Sequence, residues 1–415
     1  MKHAWIINHY TPFAEKDGWV GLHLEMADDM AGGEWQVTVL AASTSHPDGR
    51  QHLRQGERRR LVRWRNTESL WIRSAEYSGN GLSRIRNMAT FGATLMLPAT
   101  TRVLPNPDVV IGRVVNPVAA WASARIAKKF AVPFVLEISD IWPDTLVQLG
   151  KLSAHSLPAR GLGALEKWLI SRADAVMSPM PAIDDYLATK GFGDVPFYWV
   201  PNGVNGNQRL PLNDETVRVD VRHERPFRFM YLGSLGHANA VDTILEAFQQ
   251  FTSSHPERRV ALEIVGGGPL KSDLKETAKQ LGIDHLVEWT DRIPREDVLD
   301  RLSGADALVA NMRDLELYRY GIALNKLFDY LLSARPIVFA SNAVNNIVDD
   351  AKAGITVPAD SSLELALAMA DMMDADAEQR NAWGRAGRQH VLENYTYSDS
   401  ATRLKKMLYR VSGDS

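Results

Sequence analysis

No cysteine occurs anywhere in this sequence, so a disulfide framework, a thiolate metal site and thiol catalysis are all excluded. No apolar run approaches the ~18 residues that a membrane-spanning helix needs. The opening residues, MKHAWIINHY, turn polar too soon for a secretory signal, and a reduced, cytoplasmic setting is the expectation. Paired histidines at helical i, i+4 spacing with a carboxylate are missing, so neither a metal nor another cofactor is expected. Serine-hydrolase GxSxG and P-loop GxxxxGK[ST] signatures are absent too. The formal net charge is −3 and no reader motif is present, which argues against nucleic acid as a partner.

What is present is the composition of a globular protein, 45% hydrophobic and 23% charged over 415 residues, a length that favours two domains. Charge is unevenly spread. Residues 1–203 hold 22 Lys+Arg and 19 Asp+Glu, leaving 25 and 31 for the remainder. Between positions 50 and 65, Arg50, Arg54, Arg58, Arg59, Arg60, Arg63 and Arg65 face only Glu57, with Trp64 and Trp71 among or just after them. Basic and aromatic residues together suit an anionic membrane surface and a peripheral location on it; a solvated loop suits them equally.

Apolar, β-branched runs at 4–7, 36–41, 108–111, 133–138, 175–178 and 197–200 alternate with helical patterns at 21–30, 117–130, 161–172 and 182–190. This alternation predicts an α/β fold with a parallel sheet covered on both faces. The turn signal VPNGV at 200–204 ends the series. A second series follows, with strands expected at 227–232, 260–265, 286–289, 307–310 and 336–340, and helices at 240–251, 270–281, 295–302 and 326–332. The expected domains are 1–203 and 204–390, with a C-terminal helical segment, 391–415, packing back on the first. Two doubly wound sheets on one linker are expected to face each other across a cleft, where ligands bind at the carboxyl ends of strands.

Within the second series, LYRYGIALNKLFDYLLSARPIV at 317–338 places a polar loop, Gly321 to Asn325, before a helix that opens with Lys326. A helix N-terminus presents unpaired N–H groups and the positive end of the macrodipole, which suits phosphate oxygens. Lys326 adds a full charge, and Asp329, one turn on, can accept hydrogen bonds from sugar hydroxyls. YLGSLG at 231–236 and EIVGGGP at 263–269 end two successive strands in glycine, a backbone surface that a nucleotide can approach. In the first series, Gly18 and Gly21 follow the first strand, and Glu137 and Asp140 close a later one. Carboxylates at a strand's carboxyl end are catalytic candidates, although a cap and a structural ion pair explain Asp140 and Glu137 as well.

Together these segments resemble retaining glycosyltransferases of family 4, with the GT-B fold of two Rossmann-like domains. The segments YSGNGLSRIRNM at 77–88, DIWPDTLVQLGKLS at 140–153 and NKLFDY at 325–330 are similar to a bacterial branch that includes N-acetyl-fucosamine transferases of surface-polysaccharide assembly. The resemblance implies a nucleotide-diphosphate sugar donor on the second domain and a saccharide or polyprenyl-linked acceptor on the first. It implies that Lys326 neutralises the diphosphate and Asp329 binds the ribose. Gly233, Ser234 and Gly267 would line the nucleotide, Gly18 and Gly21 would face the diphosphate, and Asp140 would lie near the transferred sugar. The family's first motif glutamate falls at Gly321, and its usual basic pair at Ser234 and Asn239. Phosphate neutralisation is then expected from Lys326, helix dipoles and Arg319. The expected activity is retaining transfer of an N-acetylated amino sugar from UDP, with Lys326, Asp140 and Glu137 as the catalytic candidates. An epimerase of similar fold and a non-catalytic nucleotide-sugar binding module are the alternatives.

Overall fold

The computed structural model describes residues 1–12, 20–79, 81–206 and 225–413; Gly18 lies outside the described residues. The chain divides into two compact units. One comprises the chain up to Asn202 together with the segment from Tyr397 onward, and the other runs from Gly203 to Thr396.

The first unit is built on eight strands: β1 (Lys2–Ile7), β2 (Trp35–Ala42), β3 (Arg59–Trp64), β4 (Thr67–Ile72), β5 (Val109–Arg113), β6 (Phe134–Glu137), β7 (Ala175–Ser178) and β8 (Phe197–Trp199). Their order is β3-β4-β2-β1-β5-β6-β7-β8, and every pairing is parallel except β3 with β4. The chain steps one way from β1 to β2 and the other way to β5. The carboxyl ends of β1 and β5 therefore flank a topological switch point, the place where such sheets bind ligands. Ala4, Ile6, Val37, Val39, Val109, Ile111 and Val135 form one buried cluster, as strands covered on both faces require.

The second unit carries β9 (Phe227–Leu232), β10 (Val260–Val265), β11 (Val287–Thr290), β12 (Ala307–Asn311), β13 (Ile337–Ala340) and β14 (Gly354–Val357). All are parallel, in the order β11-β10-β9-β12-β13-β14. Its switch point lies between β9 and β12. Met230, Val265, Leu308, Ala310, Leu327 and Tyr330 share one buried cluster, which seats the Asn325–Leu332 helix on the sheet.

Several elements escaped the sequence pattern, among them β3, β4, β14 and two helices, Leu82–Leu95 and Ser362–Asp374. The arginine-rich stretch is a loop only in part: Arg59, Arg60 and Arg63 lie on β3, which forms an antiparallel pair with β4 at the sheet edge, turned through Arg65 at φ +48°. Arg60 pairs with Glu57 at 2.5 Å, and Arg65 lies 3.2 Å from Glu25 and 3.5 Å from Asp28. Charged side chains on an edge strand block further pairing, and that duty explains the arginines without a ligand. The short β14 begins at a glycine and lacks alternation. The Ser362–Asp374 helix, which packs against the Val241–Ser254 helix, had no period clean enough to read.

The C-terminal segment is split. The Ala377–Asn394 helix packs on the Asn325–Leu332 helix. A methyl group on Gly384 would fall 2.0 Å from the Ala334 carbonyl oxygen, so only glycine permits that approach. The Tyr397–Val411 helix instead buries Ala401, Leu404, Met407 and Leu408 in the cluster of β1 and β2. Truncating Leu404 to alanine is expected to destabilise the first unit by about 2–5 kcal/mol, as for other fully buried leucines. Urea unfolding checks this; a loss under about 0.5 kcal/mol, the level of a neutral surface change, would show that the helix does not contribute to that core.

Candidate functional site

Lys326 is the second residue of the Asn325–Leu332 helix, whose N-terminus has no side-chain cap. Its ammonium donates to the Tyr231 hydroxyl at 3.0 Å and to Asn239 Oδ1 at 2.6 Å, and lies 4.5 Å from the centre of the Tyr231 ring. The Tyr231 hydroxyl donates onward to the Ser234 carbonyl at 2.7 Å, and Asn239 Nδ2 donates to the same oxygen at 2.9 Å. Four residues from three segments thus form a closed polar ring whose one charged member is Lys326. None of its partners is anionic, and burial pulls the Lys326 pKa from 10.5 down to about 7.

One turn along, Tyr330 fixes the helix to the sheet. Its hydroxyl accepts from the Leu232 N–H at 2.7 Å and donates to the Leu232 carbonyl at 3.1 Å. Lys326 and Tyr330 are four residues apart and so lie on one helix face. That face is directed at the end of β9.

The glycines have a shared cause. The loop after β9 and the loop after β10 pair backbone to backbone, with the Gly233 N–H on Val265 O and the Leu235 N–H on Gly267 O, both at 3.0 Å. A methyl group on Gly266, at φ +148°, would fall 1.9 Å from Gly233 O, and one on Gly268 would fall 2.3 Å from Leu235 O. Gly233 itself sits under the Lys326 stem, where a methyl group would lie 3.3 Å from Cδ. Gly267 lies beneath the Arg292 side chain, whose Nε would be 3.1 Å from such a methyl. The result is a flat shelf of main chain beside one half-buried lysine.

Asp329 is buried, and both its oxygens accept from Arg295 at 2.5 Å. Arg319 is removed from the amine's partners: it pairs with Glu316 at 2.8 Å and donates to the Tyr320 hydroxyl at 2.6 Å. Asn325 is exposed at the start of the helix. Gly321, in the position of the family glutamate, has φ +110°, a backbone angle that disfavours any side chain.

In the first unit, Gly21 caps the Leu22–Asp29 helix, and a methyl group there would lie 3.1 Å from Pro12. Glu137 is enclosed at the end of β6, 2.9 Å from His23 Nε2 and 3.2 Å from Arg113 Nε. Burial pushes its carboxyl up, but the pull of His23 and Arg113 outweighs this and holds it below the usual range. Asp140 accepts from Trp142 Nε1 at 2.8 Å and from the Thr145 hydroxyl at 2.9 Å; burial raises its pKa in spite of those bonds. It lines a small, mostly apolar cavity with Val114, Ile138, Trp142, Leu165 and Glu166. Burial also pushes the Glu166 carboxyl up to about 7. His9 is held between Asn87 at 2.7 Å and Asn116 at 2.9 Å, and burial lowers its pKa to about 3, so it is neutral. Among the described residues no group of three or more His, Asp and Glu side chains is placed to hold a metal ion.

The structure therefore joins Lys326 to Gly233, Ser234 and Asn239, the last two standing at the positions of the family's basic pair, and it adds Tyr231, Tyr330 and Arg295, which the sequence did not single out. Tyr330 had a readable signal, its i+4 spacing from Lys326. Arg295 had none, because its partner is far off in the chain. If burial of an unpaired ammonium sets the Lys326 pKa, the unfolded chain binds more protons than the folded one between pH ~7 and ~10.5, and stability rises through that window. Urea midpoints at pH 6.5 and 9.5 should shift in favour of the wild type relative to Lys326→Met; parallel shifts in both proteins would remove the effect from Lys326.

Comparison with known proteins agrees with this architecture. Residues 23–203 match the family described as "Glycosyl transferase 4-like domain", and residues 226–375 match "Glycosyl transferases group 1". A GDP-mannose-dependent alpha-(1-6)-phosphatidylinositol monomannoside mannosyltransferase from Mycolicibacterium smegmatis is 27% identical over 50% of this chain and 55% of its own length. The chain thus spans about half of that relative. An alpha-D-kanosaminyltransferase from Streptomyces kanamyceticus is 24% identical over 74% of this chain and 67% of its own. Among solved structures, a sucrose-phosphate synthase from Thermosynechococcus elongatus superposes with a TM-score of 0.75 at 15% identity, covering 100% of both chains. The HepE protein of Anabaena, in complex with UDP-glucose, superposes at 0.66 and 12% identity, covering 99% of this chain and 100% of its own. With both units matched, the chain belongs to the glycosyltransferases of the group 1 and family-4-like type, with the GT-B fold.

Proposed function

We propose that this protein moves a sugar, with retention of configuration, from a nucleoside-diphosphate donor to a saccharide or polyprenyl-linked acceptor in bacterial surface-polysaccharide synthesis. The donor proposed is a UDP-linked N-acetylated amino sugar, in keeping with the N-acetyl-fucosamine transferase-like motifs. One observation carries the reading: an amine with only neutral partners, held by Tyr231 and Asn239 beside a shelf of main chain. A diphosphate is the counter-ion such an amine lacks.

As the bond to the sugar breaks, positive charge grows on the sugar and negative charge on the leaving phosphate. Lys326 and the amides at the helix start and glycine loops stabilise the latter, as preorganised donors do. Asp329 remains suited to a ribose although Arg295 holds it. A carboxylate offers roughly four lone-pair sites, and Arg295 occupies two. In the first unit Asp140, with its raised pKa, is proposed to orient the acceptor hydroxyl. Glu137 is proposed to act through Arg113 and His23, because its own oxygens face those groups. Gly21 and Arg319 are proposed as outer donor contacts.

Lys326→Ala is expected to lower turnover by about 10²–10³, the scale for removing one such donor, while leaving the fold intact. Nucleotide-induced thermal stabilisation, which follows affinity, should be larger for UDP than for GDP or ADP and should vanish in Lys326→Ala. Full stabilisation of the variant would take Lys326 out of the site, and a stronger response to GDP would replace UDP as the donor nucleotide. Donor consumption with no acceptor product would favour the epimerase reading.

A further inference from the structure

The helix Leu82–Leu95 is amphipathic in an unexpected sense. Its inward face buries Asn87, Phe91 and Leu95. Its outward positions include Leu82, Ile85, Ala89 and Ala93, spaced three, four and four residues apart, so they form one stripe. Leu82 is 83% exposed and Ile85 62%. Water should face polar residues on such a helix, yet here it faces an apolar stripe. Just beyond, Leu97 and Val103 are exposed as well.

The neighbouring helix, Pro117–Phe130, packs so closely that a methyl group on Gly92 would fall 2.6 Å from Val118. It leaves Trp121 38% exposed, with the Arg125 guanidinium 6.0 Å from its ring. Among the described residues, seven of the twelve exposed large apolar side chains lie between positions 82 and 157. The concentration is regional rather than scattered, on helices that pack against one another, and clustered exposed apolar side chains mark an interaction site.

Charge singles out the partner. Between Glu76 and Glu137 the sequence contains seven Lys+Arg and one acidic residue, Asp108. Asp108 is already engaged, accepting from the His3 main-chain N–H at 2.7 Å. The cations Arg86, Arg102, Arg125, Lys128 and Lys129 are all exposed. This differs from the arginine-rich edge strand, where Arg60 and Arg65 are paired with carboxylates. A second copy of the chain would have to set this cationic face against itself, which like charges oppose. Exposed aliphatic side chains, a tryptophan and unopposed cations on one face are what an anionic bilayer interface takes: the apolar groups enter the acyl boundary and the cations meet the phosphates.

We propose that the outer face of the Leu82–Leu95 and Pro117–Phe130 helices is a docking surface for anionic lipid. Leu82, Ile85, Leu97 and Trp121 insert, and Arg86 and Arg102 bind headgroups. The contact belongs to these helices and not to the arginine strand β3. It stands apart from the sugar-transfer reading, since lipid binding needs neither donor nor acceptor.

The test is co-sedimentation of the full chain with phosphatidylglycerol-containing vesicles and with pure phosphatidylcholine vesicles. Binding to the first and much weaker binding to the second is expected, falling steeply as salt is raised. Leu82→Gln with Ile85→Gln should reduce the partition coefficient at least tenfold, and Arg86→Ser with Arg102→Ser should reduce it on the anionic vesicles alone. All four side chains are outside the core, so unfolding midpoints should not change. Arg58→Ser with Arg63→Ser on the edge strand should change partitioning less than twofold. No vesicle binding by the wild type would overturn the proposal. So would an equal or larger loss from the edge-strand variant, or a lipid-free dimer that Leu82→Gln with Ile85→Gln dissolves.

Discussion

An ammonium group taken out of water must find oxygen, and the second unit is arranged around how Lys326 finds it. Its two oxygen partners, Tyr231 and Asn239, are both neutral. A carboxylate in either place would satisfy the amine and repel a phosphate. Neutral partners orient the nitrogen but leave its charge uncompensated, and the pKa falls to about 7 as the cost of that arrangement. The glycine loops serve the same end. Pairing of the β9 and β10 loops, Gly233 N–H to Val265 O and Leu235 N–H to Gly267 O, removes side chains from the shelf beside the amine. Tyr330 then locks the helix in register against Leu232.

The first unit uses its buried polar groups differently. His9 is held neutral between two asparagines, and Glu137 is matched against His23 and Arg113. The charge of Glu137 is thus met from within the unit. Asp140 is the contrasting member: its partners are an indole and a hydroxyl rather than a cation. It keeps a pKa raised by burial beside a cavity. That difference in environment is why the proposed contact with a substrate hydroxyl is given to Asp140 rather than Glu137.

Much of the fold was legible because buried parallel strands are written as continuous apolar runs. β1, β2, β5 to β7 and β9 to β13 fall on such runs. β3 was hidden by its arginines, since an edge strand needs no apolar face, and β14 by its glycine start. The Lys326 helix, the glycine loops and the two strand-end carboxylates could be read from local pattern, because each depends on a turn or a cap. The contacts of Asn239 and Arg295 could not: they lie 87 and 34 residues from the groups they hold, and no local period marks such a pairing. The capture of Asp329 by Arg295 has the same origin. The arginine-rich edge strand shows the same limit. Composition shows where arginines are dense, but only coordinates show which of them are already paired.

The account rests on Lys326 being a proton-poor amine that a diphosphate recharges. Calorimetric titration of a nucleoside diphosphate at pH 8, repeated in buffers of different ionisation enthalpy, counts the protons exchanged on binding. A free pKa of about 7, raised by an adjacent anion, predicts uptake of close to one proton per nucleotide, and none in Lys326→Met. Binding without proton uptake by the wild type would contradict it.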